Sequence, residues 1–342
     1  MSSFSRAAAL LAAAALTTAA GCGGSGGGAS PASTTRTTTA PARTITPADS
    51  APGRSAPPAR LRIVARRVLP APVQLPALAA LADGTVLAVG GLDRADASVR
   101  DVVRVAPGGP RVVGHLGSAA HDIGAAPLGG KAYIFGGGTA SGPTSAIAAV
   151  TAGGAAKAVA ALPAAMSDTG AAAIGRTAYV VGGFTTATPL RSVLAYRPGR
   201  PVRDVATLPH ALRYAAVASQ GGRLLIAGGT DGVHARREVL SVDVHTGRVR
   251  VIARLPRPLG HAAAVALGGT LFVLGGRGDA LRGQTRAIWA VDPRSGRVRR
   301  AGRLPLGLSD LAAVTAGGHV LVAGGRDRAG VVHAELWTLA AR

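Results

Sequence analysis

The stretch HAAAVALGGTLFVLGG, residues 261–276, decides the fold. Two runs of small and branched apolar residues, His261–Leu267 and Thr270–Leu274, are joined by Gly268-Gly269, and the second ends on Gly275-Gly276. After a loop, AIWAV (Ala287–Val291) leads through the turn DPRSG into RVRRAGRL (Arg297–Leu304). Each run has the length of a strand, and each is bounded by Gly, Pro, Asp or Ser turn signals. The stretch therefore predicts four short strands in succession.

The same ending recurs six times. TVLAVGG reaches its pair at Gly90, AYIFGG at Gly136, AYVVGG at Gly182, LLIAGG at Gly228, LFVLGG at Gly275 and VLVAGG at Gly324, at intervals of 46, 46, 46, 47 and 49 residues. A second marker, a Leu usually followed by Pro, shares the period: Leu69-Pro70, Leu116-Gly117, Leu162-Pro163, Leu208-Pro209, Leu255-Pro256 and Leu304-Pro305. One four-stranded sheet cannot bury both of its faces, so repeats of this period stack around an axis. The expected fold is all-β, a six-bladed β-propeller of four-stranded antiparallel blades.

Closure can be read from the ends. The last repeat stops after AELWTLAAR, which supplies its third strand and leaves the outermost one missing. RLRIVAR (Arg60–Arg66) matches RVRVIAR (Arg248–Arg254), the fourth strand of the fourth repeat, without gaps. Residues 60–69 are thus expected to complete the C-terminal blade and lock the ring. With aromatics at 3% and apolar residues at 48%, the core must be built from Ala, Val and Leu in thin, repeated layers.

Over residues 60–342 the pattern resembles the kelch-repeat family. Its marks are the apolar strand ending in Gly-Gly and a later strand running into VDPRSG (Val291–Gly296), with weaker versions in SVDVHTG and AYRPG. The chain departs from kelch blades where Arg297–Arg299 replace the usual Trp and Val291 replaces the Tyr before Asp-Pro. The resemblance implies the propeller fold and is poor in functional detail.

The N-terminus reads as an export signal over residues 1–21. Met1–Arg6 is a short, singly charged lead, Ala7–Leu16 is apolar and uncharged, and small residues follow. The apolar run is shorter than the roughly 20 residues that span a bilayer. Ala19-Ala20-Gly21-Cys22 resembles a bacterial lipobox, with Ala19 where Leu is usual, which implies cleavage before Cys22 and a diacylglyceryl group on its sulfur. The alternative is an ordinary cleaved signal with Cys22 free. As the single cysteine, Cys22 also excludes a disulfide within the chain and a Cys-based structural zinc site. Residues 22–59 are rich in Gly, Ser, Thr, Ala and Pro and read as a linker. The expected location is the outer face of the cell membrane, held by lipid on Cys22.

The charge is strongly basic, with 38 Lys and Arg against 16 Asp and Glu, a formal +22. Many arginines fall at alternate positions of predicted outer strands, such as Arg60 and Arg62, Arg248 and Arg250, and Arg297 and Arg299, where charge guards an exposed edge. No basic helix or aromatic stacking platform accompanies them, so nucleic acid is not an expected partner. An anionic membrane or wall polymer fits an exported chain better.

Fourteen residues before each glycine pair, at the expected start of the innermost strand, stand Pro76, Asp122, Asp168, Tyr214, His261 and Asp310. Pointed at the axis, these side chains form a ring around the channel mouth, and Arg213 lies beside it. Such a ring can hold a hard cation or hydrogen-bond a sugar. Equally, Asp and His at strand starts satisfy loop N–H groups. Asp93, Arg94, Asp231, His234, Arg277, Asp279, Arg326 and Asp327 add loop charge to the same face. Arg277-Gly278-Asp279 spells an adhesion tripeptide, which at three residues carries no weight.

Enzyme motifs are missing: there is no Gly-x-Ser-x-Gly elbow, HExxH or P-loop. Kelch relatives resembling galactose oxidase need a Cys joined to a Tyr for copper radical chemistry, and Cys22 cannot supply it. A relative of the sialic acid mutarotase type needs only acid and base groups at a propeller mouth, and no residue motif carries over from it. The expectation is a surface-tethered binding or scaffold module for an envelope protein or glycan, without cofactor or metal. The alternative is a carbohydrate-active enzyme using some of Asp122, Asp168, His261 and Asp310 as acid and base.

Overall fold

A computed structural model describes residues 60–342, and in that span every regular element is a β-strand. The signal, Cys22 and the linker lie outside the described residues. Six four-stranded antiparallel sheets follow one another along the chain. The fifth is representative: Ala263–Leu267, Thr270–Leu274, Ala287–Val291 and Val298–Arg303 run from axis to rim. The innermost strands touch in a closed circle, with Ala312–Ala316 of the last blade against Ala77–Ala80 of the first. This is a six-bladed β-propeller.

The ring is closed by the first described strand. Leu61–Val68 pairs antiparallel with Glu335–Ala341 and forms the outermost strand of the sixth blade. The register differs by two residues from the gapless sequence match. Leu69 and Leu255 occupy equivalent places, their N–H groups donating to Ala334 and Arg237 carbonyls at 2.7 Å, and counting back sets Val68 opposite Glu335 as Arg254 is opposite Glu238. An even shift preserves which side chains face in, so a misaligned strand still looks like the right one.

The core is six slabs, one at each blade junction. Phe272, Ile288, Val322 and Trp337 pack between the fifth and sixth blades, and Leu87, Val102, Ile134 and Val150 between the first and second. Tyr196 meets Tyr133 and Phe135 at 5.6 and 5.7 Å between the second and third. Each fully buried Leu, Val or Phe contributes roughly 1.5–3 kcal/mol, spread around the ring with no central mass.

Glycine pairs join the slabs. The first glycine of every pair has φ between 60° and 62°, and a Cβ there would come within 3.0 Å of a carbonyl oxygen, that of Ala120, Met166, Leu212, Leu259, Leu308 or Val73. The same carbonyl accepts a hydrogen bond from the second glycine at 2.8–2.9 Å. It belongs to the connector that enters the next blade. Two properties of glycine, the left-handed backbone and the missing side chain, are therefore both in use.

Gly182→Ala should accordingly destabilise the protein by about 2–4 kcal/mol, combining backbone strain with a steric clash. Gly108→Ala, where a Cβ meets nothing within 4 Å, should leave chemical denaturation within about 0.5 kcal/mol of the parent. Equal effects at the two sites would disprove the steric role.

Candidate functional site

Each innermost strand is preceded by one residue in the left-handed region: Leu75, Asp122, Asp168, Tyr214, His261 and Asp310, with φ between 51° and 60°. Their backbones link the blades. Asp168 donates to the Asp122 carbonyl, Tyr214 to Asp168, His261 to Tyr214, Asp310 to His261 and Leu75 to Asp310, at 2.6–3.1 Å. Leu, Tyr and His pay for this conformation where Gly would not, and what they gain is a side chain at the mouth.

Five of the six sequence-predicted positions are on this ring, and Pro76 is not. The first blade's hairpin turns through Ala82-Asp83-Gly84, so its strands pair Ala77 with Val89 where the second blade pairs Gly124 with Phe135. That extra residue moves the ring place to Leu75, which is apolar. The ring is thus polar on five sides.

The carboxylates are sunk beneath cationic and aromatic side chains. Asp168, 2% exposed, accepts from Arg213 Nε at 2.5 Å, and the guanidinium lies 3.9 Å from the centre of the Phe184 ring. Asp310 accepts from Ser309 Oγ at 2.6 Å and sits 2.5 Å from His261 Nδ1. Arg277 Nη2 lies 2.9 Å from His261 Nε2. A guanidinium can only donate, so Nε2 takes the acceptor's role and the Nδ1 proton is directed at Asp310. The Tyr214 ring stacks on His261 at 3.8 Å, and its hydroxyl donates to Asp122 Oδ2 at 3.2 Å. No three His, Cys, Asp or Glu side chains among the described residues converge as metal ligands. The carboxylates turn onto Arg, Tyr and His, so the cation-holding form of the ring does not match this geometry.

These contacts push the acids apart. Burial, then the charges of Asp168 and Asp310, raise the Asp122 carboxyl well above the usual carboxylate range, against a smaller pull downward from the Tyr214 hydroxyl. Burial pushes the Asp310 carboxyl up, but the His261 hydrogen bond, the Ser309 hydroxyl and the Arg277 charge together hold it below its ordinary value. The Tyr214 phenol is driven up by burial and by the negative charge of Asp122 and Asp168. The mouth therefore holds two acids shifted in opposite directions, Asp122 up and Asp310 down.

Two further six-fold positions were not found from the sequence. The residue before the ring (Gln74, His121, Ser167, Arg213, Gly260, Ser309) pairs with the one following each glycine pair (Leu92, Gly138, Phe184, Thr230, Arg277, Arg326). The signal was available, since the residue after each glycine pair keeps one offset throughout and the residue before the ring keeps one in five of the six blades. Of the predicted loop charges, Arg277 and Arg326 reach the mouth this way. Asp231 instead engages Arg236, Asp279 accepts from the Ala235 N–H, and Asp327 pairs with His333. Gly138 leaves space for His121, whose Nε2 would lie 2.6 Å from a Cβ there. Burial lowers the His121 imidazole, against a smaller pull upward from Asp168.

The Asp122 position has a definite pH signature. Because its carboxyl is raised, the folded chain holds more protons than the unfolded one above the unfolded value of about 3.9, so this group costs stability as pH rises from there. Asp310 has the opposite sign and loses its contribution as pH falls. Asp122→Asn removes the first effect, and its melting temperature relative to the parent should climb between about pH 4 and pH 8. A difference that stays flat across that range would show that Asp122 is not held neutral.

No family model matches the chain, and no curated protein matches it. The fold is common: 905 chains of solved structures match it. Among them is the structure of YjhT, at 15% identity and a TM-score of 0.68, covering 80% of this chain and 96% of that one. A likeness at that identity speaks for the propeller fold alone.

Proposed function

We propose that the chain is a binding propeller whose mouth takes a small anionic glycan of the cell envelope, on a domain tethered through lipid at Cys22. The observation that carries the reading is the placing of guanidinium groups. Arg213 and Arg277 line a cavity of about 310 Å3 floored by Tyr214 and His261. Arg277 also lines a neighbouring cavity of about 460 Å3 with Arg282, Arg326 and Arg328. Asp279 lines the first cavity, and Asp96, Asp310 and Asp327 the second, but each of these acids engages a partner, whereas the side chains of Arg282 and Arg328 engage none among the described residues. The excess charge at the mouth is therefore cationic and suits a carboxylate or sulfate on a polar ligand. Volumes of this order hold a sugar of one or two rings. The tether rests on the resemblance of Ala19–Cys22 to a lipobox and on the linker composition over residues 22–59.

A second reading is supported by one specific arrangement. The Tyr214 hydroxyl donates to Asp122, whose carboxyl is raised well above the usual carboxylate range, and its ring stacks on His261. A carboxyl poised to hold its proton, an imidazole and a phenol in contact are the groups that sugar ring opening and closing by acid and base would use.

Calorimetry of the purified chain should show binding of sialic or hexuronic acids and none of the matching neutral hexoses. Arg277→Ala should weaken it by at least tenfold. Equal affinity for acidic and neutral sugars would overturn the anion-binding reading. Exchange NMR of the bound sugar separates the two readings: faster anomer interconversion that Asp122→Asn abolishes identifies catalysis, and an unchanged rate identifies a binder.

A further inference from the structure

A cavity of about 1060 Å3, larger than either at the mouth, opens in the cleft between the first and second blades. Two six-fold positions account for it. The residue whose carbonyl receives the glycine pair is Val73, Met166, Leu212, Leu259 or Leu308 at five junctions, each side chain buried, and Ala120 at the sixth. The third strand of each blade begins where a carbonyl accepts from the first glycine of the pair. Two residues further on stand Val103, Leu194, Leu240, Trp289 and Trp337 in five blades, and Ala148 in the second. Both alanines line the cleft, as does Gly117, which replaces the Pro of the other five connectors. At this junction the chain has no large side chain of its own to fill the space.

The lining determines what fits. Leu116, Ile134 and the methyls of Ala120, Ala148 and Ala158 form an aliphatic wall. No Phe, Tyr or Trp lines it, so it has no platform for stacking a sugar or a base. Lys157 also lines it, and its exposed side chain makes no hydrogen bond or ion pair among the described residues. The one lining carboxylate, Asp96, is already taken by Gln74 at 2.6 Å and Arg326 at 3.1 Å. We infer that this cleft binds a single aliphatic chain with an anionic head group, the chain laid against Ala120, Ala148 and Ala158 and the head at Lys157. The side chains absent from this junction are aliphatic or aromatic, so an apolar ligand restores the packing of the other five. Asp96 lines both this cleft and a mouth cavity, but the wall of Ala120, Ala148 and Ala158 belongs to the cleft alone, and the inference does not depend on the glycan reading.

Dodecanoate and dodecanol, each below its aggregation limit, are titrated into the full chain by calorimetry, alongside three variants. The parent should bind one dodecanoate. An Ala120→Leu/Ala148→Leu double variant, which rebuilds the plug, should melt no lower than the parent and bind dodecanoate at least tenfold more weakly. Lys157→Gln should weaken dodecanoate several-fold while leaving dodecanol unchanged. Failure of the parent to bind dodecanoate overturns the inference, as does a folded double variant that binds like the parent. Should the double variant not fold, the milder Ala148→Val must still weaken binding, and an unchanged dodecanoate to dodecanol ratio in Lys157→Gln is equally decisive against it.

Discussion

The structure depends on the close approach of a carbonyl to a glycine pair. Sheets packed face to face through Ala, Val and Leu have little to set their angle or depth, since dispersion contacts are non-directional. A hydrogen bond aimed from one blade into the entry of the next supplies the missing direction, and it is short enough to exclude any Cβ. Repeated at six junctions, it makes the propeller a chain of identical hinges fixed at one angle. An aromatic content of 3% is then sufficient, because geometry is set by backbone polar groups and side chains need only fill thin layers.

The same device builds the mouth. Once the connectors are held, the residue entering each inner strand is forced into the left-handed region and bonded to its counterpart in the neighbouring blade. Side chains at five of these places are polar and packed within reach of each other, in a region from which water is largely excluded. Burial there separates acids that would titrate together in water: Asp122 has the Tyr214 hydroxyl and, 3.7 Å away, the His121 imidazole, and is pushed up, whereas Asp310 has His261, Ser309 and Arg277 and is held down. The difference lies in the partners each blade happens to bring.

The architecture was legible because its cause is written in the chain. Gly-Gly at a constant interval is the direct trace of a contact no other residue permits, and the missing last strand has to come from somewhere. What was less legible followed from counting. An offset of fourteen residues finds the ring only while hairpin turns keep one length, and the longer turn through Asp83 displaced Pro76 from the place that Leu75 occupies. Arg277 and Arg326 looked like ordinary loop charge, since a two-residue bridge across the mouth leaves no compositional mark. His121 and Gln74 stand one residue from the ring, and the isolated bridges that bring them to the mouth leave no common residue type along the chain. The pairing of Asp168 with Arg213, and of Asp122 with the Tyr214 hydroxyl, depends on distances across blades that no spacing along the chain encodes.

The closing strand has a consequence for how the molecule is made. Arg66 bonds to Glu335 across 269 residues of chain, so the first described strand has no partner until Glu335–Ala341 exists. Loop-closure entropy grows only slowly with such a length, but topology of this kind slows folding and leaves an edge open meanwhile. Five blades can assemble in order as they appear, each seated on the one before. The sixth stays incomplete, and the circle stays open, until both ends of the domain are present. The N-terminal strand therefore reports on the integrity of the C-terminus, and a chain truncated by a few residues at its end is left with an unsatisfied strand at its beginning.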